Sequence, residues 1–161
     1  MIERFLPHER HASVYSIEYQ KLWQCGIRGL VFDLDNTLGP HRFSEPEEKL
    51  VQLINQLSDH KFRAAFLSNH NGQGREHLEE HFKNVTVLFN AQKPLRDGYQ
   101  KVLELFELKP EQTAMIGDQL FTDIWGAKRC GLYTILVSPV APQSDPISIR
   151  GRRWLEKFLL R

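Results

Sequence analysis

The amino-acid sequence predicts a single-domain, three-layer α/β fold built on a parallel β-sheet. From about residue 29 onward, short apolar segments rich in β-branched residues alternate with segments whose apolar residues recur at helical spacing. Strands joined by single crossover helices lie parallel in one sheet, and helices cover both of its faces. The length of 161 residues agrees with one domain of about 100–200 residues.

The first half of the sheet is predicted from three segments. Residues 30–32 form an apolar run that ends abruptly at an acidic residue, as buried strands do. A helix is predicted over 46–59 because its apolar residues recur at helical spacing, and Ser44 with Glu47 forms a candidate capping box ahead of it. The second strand, 62–67, is followed by a turn-rich segment.

The second half continues the alternation. The predicted helices are a polar one over 74–82, an amphipathic one over 99–106 and a short one over 122–130. Each is followed or preceded by a predicted strand, over 85–89, 114–117 and 133–137. A loop containing three prolines, 138–149, then leads to a last helix. The chain divides into an N-terminal extension (1–28), a catalytic core (29–138), and a loop with a basic C-terminal helix (139–161).

Composition and charge exclude several classes of protein. The chain is 41% hydrophobic and 25% charged, as soluble globular domains are, and a net charge of +1 indicates no nucleic-acid partner. Cys25 and Cys130 lie far apart, so we expect neither a disulfide framework nor a CxxC metal site. The charged N-terminus lacks the apolar run of a signal peptide, and no apolar stretch approaches the ~20 residues that span a bilayer. We expect a cytoplasmic protein, and the sequence leaves its oligomeric state open.

Polar side chains follow four of the predicted strands. They are Asp33 to Thr37 after the first strand, Ser68 and Asn69 after the second, Lys93 shortly after the third, and Gly117 to Asp123 after the fourth. The carboxyl ends of parallel strands meet at one edge of a sheet, where ligands bind in open α/β folds. We therefore expect these groups to converge on one site.

Phosphoryl transfer is the chemistry that such a set indicates. A carboxylate can attack phosphorus to give an aspartyl-phosphate, and a second carboxylate can protonate the leaving oxygen and later deprotonate water. Carboxylates that converge from two strand ends need a hard divalent cation between them, and Mg²⁺ fits because it takes carboxylates, phosphate oxygens and waters. A lysine and a hydroxyl would hold the other phosphate oxygens.

At these residues the chain resembles the haloacid dehalogenase-like (HAD) phosphohydrolases. The resemblance rests on the DxDxT box, the hydroxyl after strand two, the lysine-proline pair and the GDQxxTD loop, which occur in the family's order. The chain is most similar to the YqeG-type phosphatases of subfamily IIIA, a group similar to mitochondrial phosphatidylglycerophosphate phosphatase. The stretch 132–137 and the stretch 145–153 support this. The resemblance implies a Rossmann-like fold, a phosphatase activity and Mg²⁺ as cofactor.

The resemblance also implies a role for each residue of the first box. Asp33 would be the nucleophile and a magnesium ligand. Asp35 would be the acid/base and would bind the metal through its main-chain carbonyl. Thr37 would orient the loop that carries Asp33.

The remaining roles fall on the other three strand ends. Ser68 would donate to the phosphoryl group and Lys93 would neutralise charge on nucleophile and phosphate. Asp118 would be the second metal carboxylate, and Asp123 an outer partner of metal-bound water or of the lysine. Asn69 is a candidate phosphate contact. The roles of His41 and His70 stay open, and a histidine metal site is not expected because no cysteine accompanies the histidines.

The substrate is predicted from the lack of a cap domain. The segments 37–68 and 68–93 each hold one helix and one strand, so no cap fits in either. An open site suits a bulky phosphorylated substrate, and with the resemblance this makes phosphatidylglycerophosphate the leading candidate. The alternatives are a nucleotide or sugar phosphatase whose site is covered by another subunit, and a non-catalytic phospho-ligand binding protein. A phospho-acceptor receiver domain is disfavoured because it lacks DxDxT.

The C-terminal segment has two interpretations. Residues 150–161 hold five basic side chains and one acidic one. On a helix, the apolar side chains would share one face and the basic ones would lie beside it. The apolar residues are Trp154, Leu155, Phe158 and Leu159, and the basic ones are Arg153, Lys157 and Arg161. The apolar stripe either packs on the flank of the sheet, or lies on an anionic membrane as a peripheral contact of the inner face.

Overall fold

One parallel sheet organises the chain, whose residues 2–159 are described by a computed structural model. Its strands are β1 (Glu9–His11), β2 (Gly29–Phe32), β3 (Arg63–Leu67), β4 (Val85–Leu88), β5 (Thr113–Gly117) and β6 (Tyr133–Val137). The spatial order is β1-β6-β5-β2-β3-β4, and every pair is parallel. Strand β2 is central: Phe32 lies in register with Phe66 of β3 and Ile116 of β5.

Helices cover both faces of the sheet. They are α1 (Tyr19–Gln24), α2 (Glu48–Asp59), α3 (Arg96–Phe106), α4 (Gly126–Lys128) and α5 (Ile147–Leu159), and a π-helical turn, Leu120–Trp125, precedes α4. Successive residues of β2 point to opposite faces, as the two-residue period of a strand requires. Leu30 and Phe32 join the apolar cluster beneath α1 and α2, whereas Val31 joins the cluster beneath α3 and α4. The predicted three-layer α/β fold is confirmed.

The predicted strands are all present, but the sheet has one more. Strand β1 comes from the segment predicted as an N-terminal extension and pairs with β6 at the edge. Its three residues, Glu-Arg-His, carry no apolar side chain and so give no strand signal. Short polar edge strands of this kind protect a sheet from pairing with another chain.

Three helical details of the prediction are wrong. The polar segment 74–82 forms only a 3₁₀ turn over Leu78–His81, because Gly72 and Gly74 adopt positive φ angles of 85° and 77° and interrupt the helix. Helix α2 begins after Glu47, and no side chain caps it, so the Ser44 capping box does not form. The short helix predicted over 122–130 begins as the π-helical turn.

Helix α5 has its apolar side chains outward. Trp154, Leu155 and Phe158 are 61%, 54% and 60% exposed, whereas Glu156 on the opposite side is 6% exposed. The interpretation that the apolar stripe packs on the sheet is therefore wrong for these three residues. The predicted basic position Arg161 lies outside the described residues. Among residues 2–159 no helix combines the length and apolar character that crossing a membrane requires.

Candidate active site

The loop after β2 brings Asp33 to the centre of the sheet edge. The main-chain N–H of Asp33 donates to the Ile116 carbonyl of β5 at 2.9 Å. The Thr37 hydroxyl lies 3.0 Å from both Asp33 Oδ2 and Asp118 Oδ1, so it joins two strand ends. Asn36 turns the loop with a left-handed φ of 62°, a conformation that asparagine tolerates. These contacts fix the Asp33 carboxylate beside that of Asp118.

The segment after β5 supplies two carboxylates. Asp118 directly follows the strand, and Asp123 lies in the π-helical turn. The Gln119 N–H donates to Asp123 Oδ2 at 3.1 Å. A methyl group on Gly117 would lie 2.3 Å from that same oxygen, so only glycine leaves room for the Asp123 carboxylate at the strand end.

Lys93 links two of the carboxylates. Its Nζ donates to Asp33 Oδ1 at 2.6 Å and to Asp123 Oδ1 at 2.8 Å. Burial favours the neutral amine, but the two carboxylates outweigh it and raise the pKa of Lys93 above its usual range, so the lysine is charged. Asn69 positions it: the Lys93 N–H donates to Asn69 Oδ1 at 2.6 Å, and Asn69 Nδ2 donates to the Lys93 carbonyl at 3.0 Å. In this structure Asn69 thus binds main chain, and its predicted phosphate contact stays a prediction.

Five of the eight predicted site residues open onto one cavity of about 340 Å³, called here the site cavity, whereas Thr37, Asp118 and Asp123 do not line it. It is lined by Asp33, Asp35, Ser68, Asn69 and Lys93. Ser68 is almost fully buried and its Oγ accepts a hydrogen bond from the His70 N–H at 3.1 Å. The hydroxyl proton of Ser68 makes no hydrogen bond within residues 2–159, so it can be donated into the cavity.

Asp35 is held by an arginine from the segment after β3. Its Oδ1 accepts from the Arg42 N–H at 2.7 Å and from Arg75 Nη2, while Arg75 Nε donates to the Phe43 carbonyl at 2.7 Å. Burial opposes the charge on Asp35, but the hydrogen bond and charge of Arg75 outweigh it and lower the pKa of Asp35. No hydrogen bond reaches Asp35 Oδ2 in the described chain, so this oxygen is available to other groups.

Helix α5 reaches the same edge through Arg153. Its Nη2 donates to Asp118 Oδ2, its Nη1 donates to the Asp118 carbonyl at 3.2 Å, and its Nε donates to Asp145 Oδ2 at 2.6 Å. Asp145 in turn accepts from Asn36 Nδ2 at 2.5 Å through Oδ1. The C-terminal segment is thereby joined to both the loop after β2 and the acidic segment after β5.

The acidic cluster has the oxygen donors and the charge for a divalent cation. One carboxylate oxygen each from Asp33, Asp118 and Asp123 lies within 4.8 Å of the others, and all three residues are buried. Among the described residues, only two cations, Lys93 and Arg153, are paired with the three carboxylates. Burial and the surplus negative charge raise the pKa of Asp33 well above its usual range and that of Asp118 to about 6. Buried oxygen donors with uncompensated negative charge fit a hard ion such as Mg²⁺.

A family model decides what kind of protein this site belongs to. The model described as mitochondrial PGP phosphatase matches residues 2–141, which is most of the chain. The chain belongs to this family. With the fold and the site described above, it is a phosphatase of the HAD type, and the YqeG-type resemblance is confirmed.

Two curated relatives extend along nearly the whole chain. "Probable phosphatase YqeG" of Bacillus subtilis is 33% identical over 156 residues, covering 97% of this chain and 90% of that protein. "Phosphatidylglycerophosphate phosphatase 1, chloroplastic" of Chlamydomonas reinhardtii is 30% identical over 161 residues, covering 95% of this chain and 60% of that protein. The chain of this PGP phosphatase family member thus spans most of the YqeG protein and about 60% of the longer chloroplast protein.

A solved structure supports the fold. A HAD-like family hydrolase from Porphyromonas gingivalis superposes with a TM-score of 0.55 at 17% identity, over 81% of this chain and 98% of that one. The segments 37–68 and 68–93 of the PGP phosphatase family chain contain no additional domain, only α2 with β3 and the 3₁₀ turn with β4. The predicted Rossmann-like fold without a cap domain is confirmed.

Sequence reasoning missed three residues that contact the site. Arg75 and Arg153 bind the predicted site residues Asp35 and Asp118 across 40 and 35 positions of the chain. Asp145 binds Asn36, in the loop that carries Asp33, across 109 positions. No local pattern marks Arg75, which lies in a segment that looks helical. The family resemblance of the stretch from Asp145 to Arg153 is the one sequence signal that points to these two residues.

Proposed function

We propose that this chain is a Mg²⁺-dependent phosphomonoester hydrolase that acts on phosphatidylglycerophosphate through an aspartyl-phosphate intermediate on Asp33. The observation that carries this proposal is the environment of the Asp33 carboxylate. One oxygen is held by Lys93 and the other by Thr37, and the Asp118 and Asp123 carboxylates lie beside it. This arrangement fixes a nucleophile at the floor of an open cavity next to donors for a transferred phosphoryl group.

The cation would be held by residues of the two strand ends. Asp33 and Asp118 would contribute carboxylate oxygens and Asp35 its main-chain carbonyl. Asp123 would not bind the cation directly and would act through its hydrogen bond with Lys93. Bound there, Mg²⁺ would neutralise charge on the phosphoryl oxygens and reduce the repulsion between phosphate and carboxylate. The buried acidic triad supports this assignment.

The chemistry proceeds in two steps. An oxygen of Asp33 attacks phosphorus, the bond from phosphorus to the ester oxygen breaks, and that oxygen takes a proton from Asp35. Asp35 has to be protonated for this step, although its contact with Arg75 favours the charged carboxylate. Asp35 then accepts a proton from water, whose oxygen attacks the phosphoryl group, and the bond to Asp33 breaks to release inorganic phosphate. Lys93 and Ser68 donate to the phosphoryl oxygens throughout. The oxygen Oδ2 of Asp35 suits the proton transfer because Arg75 and the Arg42 N–H bind only Oδ1.

Two observations support a lipid substrate. The site cavity holds about 340 Å³ and no cap domain closes over it, so a headgroup can enter while its acyl chains stay outside. The matched family model and the Chlamydomonas relative are both described as phosphatidylglycerophosphate phosphatases. A compact soluble phosphate would leave much of such an open cavity in water, which weakens electrostatic stabilisation of the transition state.

A peripheral membrane contact is the second part of the proposal. Helix α5 exposes Trp154, Leu155 and Phe158, and the basic side chains Arg150 and Lys157 lie on the same helix without a described acidic partner. Exposed apolar side chains flanked by basic ones fit an anionic phospholipid surface. The contact would keep the enzyme on the cytoplasmic face of the membrane with its cavity near the lipid headgroups.

A substrate comparison tests the proposal. Purified protein with Mg²⁺ is assayed for phosphate release from dioctanoyl phosphatidylglycerophosphate, from nucleotide monophosphates and from sugar phosphates. We expect kcat/KM for the lipid to exceed the others by at least about tenfold, and activity to vanish with EDTA and in D33N. A higher kcat/KM for a nucleotide or sugar phosphate would overturn the substrate, and full activity of D33N would overturn the mechanism.

A further inference from the structure

The site cavity has a catalytic floor and a basic outer rim. Asp33, Ser68 and Lys93 line the floor, which is fully used by the chemistry described above. The outer rim is formed by His41, Arg42 and Arg152, which line the same cavity and whose side chains that chemistry does not use. The rim combines the loop after β2 with the first half of α5.

The rim is cationic because its acidic neighbours are already paired. Of the carboxylates that line the cavity above the floor, Asp35 is bound by Arg75, and Asp145 is bound by Arg153 and Asn36. The side chains of Arg42 and Arg152 have no hydrogen bond or ion pair with any residue of the described chain. Two arginines whose guanidinium groups have no described partner therefore line a cavity whose outer carboxylates, Asp35 and Asp145, are already paired.

His41 adds an unsatisfied polar atom to the same rim. Its Nδ1 is buried and has no hydrogen-bond partner within residues 2–159. Buried polar atoms are normally paired, and one without a protein partner is a common sign of a bound water or ligand. The His41 N–H donates to Ser144 Oγ at 3.1 Å, which ties the rim loop to the segment leading into α5.

We propose that the outer rim binds a second phosphate group of the substrate, so that the enzyme selects molecules carrying a phosphomonoester and a phosphodiester joined by a short linker. Arginine guanidinium groups bind phosphate oxygens with paired hydrogen bonds, and the imidazole supplies a further contact. The second phosphate would lie at the cavity mouth, one linker length above the phosphoryl group on the floor. This inference rests on the proposed function and adds the basis of its selectivity.

The same chemistry could come from a lipid or from a soluble molecule. A phospholipid headgroup and its deacylated, water-soluble counterpart present the same two phosphates. The experiment therefore uses three probes: deacylated phosphatidylglycerophosphate, dioctanoyl phosphatidylglycerophosphate, and glycerol 3-phosphate, which has the monoester alone.

Two double variants with the same change of charge are compared. R42Q/R152Q removes the guanidinium groups of the rim. R63Q/K101Q removes two exposed basic side chains, on β3 and α3, that do not line the site cavity. We expect wild type and R63Q/K101Q to prefer the deacylated probe over glycerol 3-phosphate by at least about tenfold in kcat/KM, and R42Q/R152Q to lose most of that preference through a higher KM. The dioctanoyl probe should respond to R42Q/R152Q in the same way.

Three results would overturn the inference. They are a wild-type enzyme without preference for the deacylated probe, an equal loss in both double variants, and a preference for the dioctanoyl probe that R42Q/R152Q leaves intact. The first two would mean that no second phosphate is recognised at the rim, and the third that the acyl chains are recognised instead. None of these results contradicts the proposed hydrolysis. That proposal would be refuted separately if D33N retained activity on glycerol 3-phosphate.

Discussion

Arg153 of α5 binds both the carboxylate and the main-chain carbonyl of Asp118, the first residue after the central strand β5. The same guanidinium holds Asp145, which in turn binds the loop that carries Asp33 through Asn36. The C-terminal helix is therefore part of the candidate active site, and a truncation that removes it would leave buried carboxylates unpaired. Point substitutions are the appropriate test of its functions.

We predict that R153Q destabilises the protein and that Mg²⁺ compensates part of the loss. Removing the arginine leaves Asp118 and Asp145 buried without their cation, and breaking such a pair lowers the free energy of unfolding by about 2 kcal/mol or more. Urea denaturation with and without Mg²⁺ measures this, with R150Q as control because the Arg150 side chain has no described partner. Equal stability of R153Q and R150Q would contradict the structural role of Arg153.

Substitutions of Asp118 and of Asp35 should differ in their effect on the affinity for Mg²⁺. D118N removes a carboxylate of the acidic cluster, so the affinity for Mg²⁺ should fall by more than about tenfold together with the rate. D35N changes only a side chain that we place in proton transfer, so the rate should fall while the affinity for Mg²⁺ stays within a few-fold. Calorimetric titration with MgCl₂ separates the two. Unchanged affinity in D118N would remove Asp118 from the metal site.

The buried Glu156 makes stability depend on pH. Burial raises its pKa from an ordinary value of 4.5 to about 7, with the Phe121 N–H opposing the shift. Because the folded pKa lies above the unfolded one, its contribution is complete below about pH 4.5 and is lost as pH rises through about 7. E156Q should therefore gain Tm relative to wild type by a few degrees between about pH 5 and pH 8.

The control for this prediction is E104Q, since Glu104 is exposed on α3. Thermal unfolding of wild type, E156Q and E104Q is followed by circular dichroism across that pH range. The difference between E104Q and wild type should stay constant with pH. A difference between E156Q and wild type that also stays constant would mean that Glu156 is charged in the folded protein.

The exposed face of α5 should bind anionic vesicles. Wild-type protein is expected to sediment with phosphatidylglycerol vesicles at low salt and not with neutral phosphatidylcholine vesicles, because salt screens the basic side chains. W154S/L155S should reduce binding at least about tenfold and keep its activity on a soluble substrate. L105S removes an exposed apolar residue of α3 and serves as control. Equal sedimentation of W154S/L155S and wild type would refute the contact.

The sequence predicted the parts of the fold and site that depend on local pattern. The central strands are apolar runs that end in polar residues, so Asp33, Ser68 and Lys93 could be assigned to one sheet edge before any coordinates. Their convergence follows from parallel topology alone. The structure brings these residues to one cavity, while their chemical roles stay predictions.

The remaining features depend on long-range contacts or on backbone conformation. Arg75 reaches Asp35 only because the segment around it does not form a helix, and the positive φ of Gly74 that prevents the helix has no periodic signal. The amphipathic pattern located α5 but could not give its orientation. An apolar stripe is expected to pack inward, whereas here the buried contacts of Arg153 and Glu156 hold the polar side inward.

The central claim is that Asp33 becomes phosphorylated, and trapping the phosphoenzyme tests it most directly. In D35N an aryl phosphate can still phosphorylate the enzyme, because a phenolate leaves without a proton, but water is no longer activated and the intermediate should accumulate. Acid quench, digestion and mass spectrometry should find one phosphoryl group on the peptide containing Asp33, removable by hydroxylamine and absent in D33N/D35N. Release of the phenolate without a phosphoryl group on that peptide, or with one on Asp118 instead, would contradict the account.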